Sequence, residues 1–70
     1  MFTLLFIEDD EAIRTALRLV LEDEGYEVAE AGDGETGIKM FGQIDPDLVL
    51  LDLRLPDISG FEVCRAIRRT

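Results

Sequence analysis

Histidine does not occur in this sequence and cysteine occurs once. Those two absences exclude the usual zinc ligand sets, and a lone Cys64 cannot close an internal disulfide. Cys64 falls within a helical pattern where a small buried side chain fits, so it reads as structural. Basic side chains are scarce too: 7 Lys and Arg stand against 16 Asp and Glu, for a net charge of −9 and a pI near 4.2. The cations cluster only at Arg65, Arg68 and Arg69, which excludes nucleic-acid binding by this segment, since phosphate contacts depend on grouped Lys and Arg. A cation is the more natural ligand. Long hydrophobic runs are also missing. The opening stretch Met1–Ile7 lacks a basic flank and runs directly into acids, so it is neither a signal peptide nor a membrane span, and a cytoplasmic location is expected.

What is present is a chain of 70 residues with 47% apolar content. That content suits a packed core, but a chain this short buries only about 60% of the surface its unfolded form exposes. It reads as one folded piece, residues 1–70, of something larger. There is no internal repeat, low-complexity tract or linker.

Residues 3 to 7 are almost continuously apolar, as in a strand buried on both faces, and the run stops at Glu8-Asp9-Asp10. From Glu11 to Glu24 the positions Ile13, Ala16, Leu17, Val20 and Leu21 recur at helical spacing, and Asp10 can cap the start. Gly25 follows the last turn, where a positive φ is wanted. Tyr26 to Ala31 alternates as an edge-like second strand. After the turn Gly32-Asp33-Gly34, Ile38 and Phe41 predict a short helix broken near Gly42, and Asp45-Pro46-Asp47 predicts extended chain. Leu48-Val49-Leu50-Leu51 is a second fully buried strand that ends at Asp52. Pro56 and Gly60 bracket a loop, and Val63, Cys64 and Ile67 begin a third helix.

Alternating strands and helices predict an α/β fold with a parallel sheet. In such sheets ligands bind at the carboxyl ends of the strands where strand order reverses. With the order 2-1-3, Glu8, Asp9 and Asp52 would meet at that point. Three carboxylates there repel one another unless a cation neutralises them or their pKa values rise. Few oxygen donors with open positions suit Mg²⁺ better than Ca²⁺. Asp52, delivered by a rigid strand, is the candidate nucleophile toward phosphorus. Asp9 would bind the metal directly, Glu8 through water, and the main-chain carbonyl of Arg54 would complete the protein ligands. Each acid also has an ordinary reading: Glu8-Asp9-Asp10 as helix-start acids favoured by the dipole, Asp52 as a loop cap. Asp33 and Asp57 read as solvated loop acids, and Lys39 as a solvated surface charge.

The segments Phe6-Ile7-Glu8-Asp9-Asp10-Glu11-Ala12-Ile13-Arg14 and Asp47-Leu48-Val49-Leu50-Leu51-Asp52-Leu53-Arg54-Leu55-Pro56-Asp57-Ile58-Ser59-Gly60 together resemble the acidic pocket and phosphorylation-site segment of response-regulator receiver domains. The resemblance covers essentially the whole chain. It implies a flavodoxin-like (CheY-like) doubly wound parallel sheet, truncated after the third strand and the start of the third helix. It further implies a signalling module and not an enzyme, with Asp52 as phosphoacceptor, Glu8 and Asp9 holding Mg²⁺, and Arg54 lending its backbone oxygen. A sensor histidine kinase would be the phosphodonor. The Gly60–Arg69 segment is most similar to receivers of the OmpR/PhoB type, which implies transcriptional control through a DNA-binding output domain absent from this chain.

Two other readings of the acids stand beside this one. Phosphatases of the haloacid-dehalogenase kind and toprim enzymes want a second acid two residues after an aspartate; Arg54 stands there after Asp52, and Glu11 after Asp9 is followed by no suitable Thr. A phosphorylation-independent interaction module with the receiver fold is the alternative. Because the third strand would have no partner on its outer edge, it is expected to pair with another copy, as a homodimer or other self-association, or with the missing half.

Overall fold

The structure, a computed structural model, describes residues 1–68. Arg69 and Thr70, the end of the third helical pattern, lie outside the described residues. The elements run β1 (Thr3–Ile7), α1 (Glu11–Asp23), β2 (Glu27–Ala31), α2 (Gly34–Ile44), β3 (Leu48–Leu51) and α3 (Gly60–Arg68). The strands form one sheet in the order β2-β1-β3. Both pairings are parallel, with Leu5 opposite Ala29 and Val49, and Ile7 opposite Ala31 and Leu51.

Because strand side chains alternate between faces, Leu5, Ile7, Ala29, Ala31, Val49 and Leu51 share one side of the sheet. They pack with Ile38 and Phe41 of α2 and Val63 and Ile67 of α3 into a single core. Leu5, Ile7 and Val63 are fully buried, and each is worth about 1.5–3 kcal/mol relative to exposure. Leu4 and Phe6, also buried, point the opposite way. Phe6 pairs in register with Glu30, which meets Arg14 and Arg18 of α1, so α1 lies over that second face.

Capping follows the sequence closely at two helices. Asp10 accepts from Ile13 N–H at the start of α1, and Gly25 takes φ 94° after its end. Asp33 accepts from Thr36 N–H at 2.7 Å and caps α2, so it is a structural acid and not a freely solvated one. Lys39 is exposed, as expected.

Several expectations need correction. α2 runs through Gly42 to Ile44, because a mid-helix glycine costs only about 0.5–1 kcal/mol and the packing of Ile38, Phe41 and Ile44 outweighs it. Asp45 is not extended. It closes α2 in the left-handed region at φ 48°, ψ 64°, donating its N–H to Phe41 O. The αR region is disfavoured before Pro46, and aspartate is among the few residues that tolerate the left-handed alternative. β3 is not fully buried: Leu48 is 46% exposed, since β3 forms an edge of the sheet among the described residues. The apolar stripe of α1 is only partly covered, with Leu17 and Leu21 half-buried and Ile13, Ala16 and Val20 exposed. Cys64 is exposed, because the core face of α3 is set by Val63 and Ile67 and the next position rotates about 100° away.

Candidate functional site

Among the described residues β1 is the central strand and β3 an edge strand of the sheet, paired directly, and both run out at the same end. Asp52 N–H donates to Ile7 O at 3.0 Å, and Glu8 N–H donates to Ala31 O at 3.0 Å. The ladder therefore continues one step past each strand and holds the first acid after β1 beside the first acid after β3. Carboxylate oxygens of Glu8, Asp9 and Asp52 lie within 4.8 Å of one another. These three, with Asp10, Ile13 and Arg54, line an open depression. Sequence reasoning placed all three acids, and the structure brings them together.

The surroundings of each acid differ. Partial burial pushes the Glu8 carboxyl above its ordinary value of 4.5; Asp52 and Asp9 beside it act in the same direction, while a hydrogen bond from Asp10 N–H opposes. Asp52 Oδ1 accepts from Arg54 N–H at 3.1 Å, which fixes the rotation of the carboxylate. Arg54 bridges to Ser59 in a short antiparallel contact, and Gly60 N–H donates to Leu53 O at 3.0 Å. The loop after Asp52 is thus folded back on itself. Gly60 is needed there: a Cβ at this position would stand 2.6 Å from Leu53 Cα and 2.7 Å from Asp52 O.

Asp57 departs from expectation. Its two oxygens accept from Gly34 N–H at 2.8 Å and Glu35 N–H at 2.9 Å, at the start of α2. These two bonds hold its pKa below the ordinary 3.8, so this exposed loop acid also tethers the β3–α3 loop to α2. Sequence reasoning also missed Arg14. Its guanidinium donates to the backbone oxygen of Glu8 at 2.8 Å and pairs with Glu30. The available signal was an arginine four residues after the cap Asp10, together with an acid, Glu30, at an alternating strand position.

An oxygen-only set of three acids, partly shielded and mutually repelling, fits a small hard cation such as Mg²⁺. Residues 4–70 match the family described as the response regulator receiver domain. The transcriptional regulatory protein AfsQ1 of Streptomyces coelicolor is 59% identical over 70 residues, covering 100% of this chain and 31% of that relative. The response regulator TrrA of Thermotoga maritima, solved in complex with Mg²⁺-BeF, superposes with a TM-score of 0.94 at 42% identity, covering 99% of this chain and 60% of that one. TrrA in complex with the histidine kinase ThkA gives a TM-score of 0.93 at 41% identity, with 100% and 60% covered. The chain therefore spans about a third of the curated relative and 60% of these solved chains. The three-stranded parallel sheet with its helices is a truncated flavodoxin-like, CheY-like fold, and the chain belongs to the response regulator receiver domain family.

Proposed function

We propose that this chain is the phosphoacceptor part of a two-component response regulator, taking a phosphoryl group from the phosphohistidine of a sensor histidine kinase onto Asp52. The observation that carries the reading is the meeting of Glu8, Asp9 and Asp52 at the ends of β1 and β3. Membership of the receiver family, and the likeness to a regulator solved with Mg²⁺-BeF and with its kinase, support it.

Glu8, Asp9, Asp52 and the backbone carbonyl of Arg54 would hold Mg²⁺. When bound, Mg²⁺ supplies positive charge where an anionic carboxylate meets an anionic phosphoryl group. An Asp52 carboxylate oxygen attacks phosphorus in line. The P–N bond to the donor imidazole breaks, its electron pair stays on nitrogen, and an acyl phosphate forms on Asp52. Attack by water on that acyl phosphate releases inorganic phosphate and restores the carboxylate. Arg54 N–H, by fixing the Asp52 rotamer, reduces the reorientation needed before attack.

In the longer protein this switch would control transcription through a DNA-binding domain outside the chain, a reading supported by the name of AfsQ1. This segment would act in the cytoplasm without touching DNA or membrane itself. In the seventy-residue chain the outer edge of β3 would pair with a second copy, whereas in the longer protein the missing half would cover it.

Intact-mass measurement of the full-length protein, with a small acyl-phosphate donor and Mg²⁺, tests the central claim. One added phosphoryl mass that requires Mg²⁺ and is lost in Asp52→Asn is the expected result. No added mass, despite measurable Mg²⁺ binding, would mean a phosphorylation-independent interaction module with the receiver fold.

A further inference from the structure

The carbonyl groups of Glu8 and Asp9 lie where the β1 ladder has run out, so the sheet no longer holds them. Arg14 takes over. Its terminal nitrogen donates to Glu8 O at 2.8 Å and reaches Asp9 O at 3.4 Å, while its Nε donates to Glu30 at 3.3 Å. Its own backbone N–H is bonded to Asp10 O at 3.0 Å. One residue therefore ties three successive carbonyls of the acidic turn, two through its side chain and one through its backbone.

The guanidinium is built into place. Its side chain is 17% exposed, and Gly32 leaves the room it occupies: a Cβ there would stand 3.0 Å from the same nitrogen that bonds Glu8 O. Glu30, which orients it, is held in turn by Arg18 Nε at 2.6 Å, an ion pair not aligned as a hydrogen bond, and Arg18 pairs with Glu22 at 3.2 Å. Two cations and two carboxylates make this group neutral overall. A stabilising effect on a bound cation does not come from its charge, since a positive guanidinium beside a cation site opposes the cation. What remains is geometry. A planar fork with several donors can span adjacent carbonyls and a carboxylate at once, which an ammonium cannot.

We propose that Arg14 is a positioning residue that holds the Glu8–Asp9 turn in the shape that binds Mg²⁺, with Gly32 as the space it requires. The proposal rests on the reading of Glu8, Asp9 and Asp52 as a Mg²⁺ site. Groups that orient metal ligands typically contribute 10- to 100-fold to metal affinity.

Calorimetric titration of the full-length protein with Mg²⁺ alone, well below the thermal midpoint, gives the deciding comparison among wild type, Arg14→Ala, Arg14→Lys and Gly32→Ala. Arg14→Ala is expected to raise the Mg²⁺ Kd about tenfold, within that range, with smaller rises in the other two. Phosphoryl incorporation should return to the wild-type rate once Mg²⁺ is saturating, because the reacting carboxylate is untouched. Folded variants that bind Mg²⁺ as wild type does, with only a lowered thermal midpoint, would overturn the proposal. Should Arg14→Ala fail to fold, Arg14→Lys and Gly32→Ala carry the same comparison. Wild type that binds no Mg²⁺ would overturn the site reading along with it, and is distinct from binding that the variants leave unchanged.

Discussion

Asp57 and Asp52 lie in the same loop region yet hold opposite kinds of position. Asp52 faces other acids, whereas Asp57 accepts two backbone N–H groups at the start of α2. A carboxylate so placed is favoured in its charged form by the hydrogen bonds and by the positive end of the helix. Its folded pKa lies below the ordinary 3.8, so its contribution to stability is present at neutral pH. That contribution is lost as pH falls from 3.8 through the depressed value, where the folded state must also take up the proton. Asp57→Asn is therefore expected to lower the urea midpoint at pH 7, with the gap from wild type closing in acid. Urea titrations at several pH values check this; an equal gap at pH 7 and in strong acid would assign the effect to amide packing instead of charge.

At the scale of elements, the site depends on how closely α3 approaches the end of β3. Gly60 opens α3 against the backbone of Asp52 and Leu53, and the Ser59 hydroxyl accepts from Glu62 N–H in the first turn. Gly60→Ala would push a methyl group into main chain that cannot rotate away. Overpacking of this kind costs about 1–3 kcal/mol. A lowered denaturation midpoint of that size is expected, together with slower phosphoryl incorporation at saturating Mg²⁺, because the crowded atoms are the backbone oxygen of Asp52 and the Cα that follows it. A variant as stable and as reactive as wild type would show that α3 can shift without disturbing the site. The helices also explain where sequence reading fell short. Gly42 signals a break only when local propensity is weighed alone, and Cys64 looks buried only if the core face of α3 is drawn one position too wide.

Across the whole molecule, the sheet is covered unevenly. Val63, Leu5 and Ile7 close the core under α2 and α3, while Leu48, Ile13, Val20 and Phe61 remain open to solvent. β3 has a strand on one side only among the described residues, which leaves a row of backbone donors and acceptors unpaired. The seventy-residue chain is expected to self-associate through that edge, with a sedimentation coefficient that rises with protein concentration. Leu48→Lys, which adds charge beside the edge, should shift the equilibrium toward monomer. A wild-type chain that stays monomeric at all concentrations, with the β3 amides protected from exchange, would rule out the edge as a pairing surface.

Sequence by itself determined the order of strands and helices, because Thr3–Ile7 and Leu48–Leu51 are short apolar runs that stop at acids, and because Asp10 and Gly25 mark the two ends of α1 through side-chain and backbone chemistry local to each residue. It also determined the candidate site, since Glu8, Asp9 and Asp52 each follow directly from a strand end and parallel pairing in the order β2-β1-β3 puts those ends together. Only the tertiary structure decided what supports that site. Arg14 against the Glu8 carbonyl, Asp57 against the start of α2 and Gly60 against Asp52 are contacts whose partners local spacing does not assign. Hydrogen bonding and close packing across the chain depend on where the backbone has already been brought, and periodicity describes only the face a residue occupies, not what meets it there.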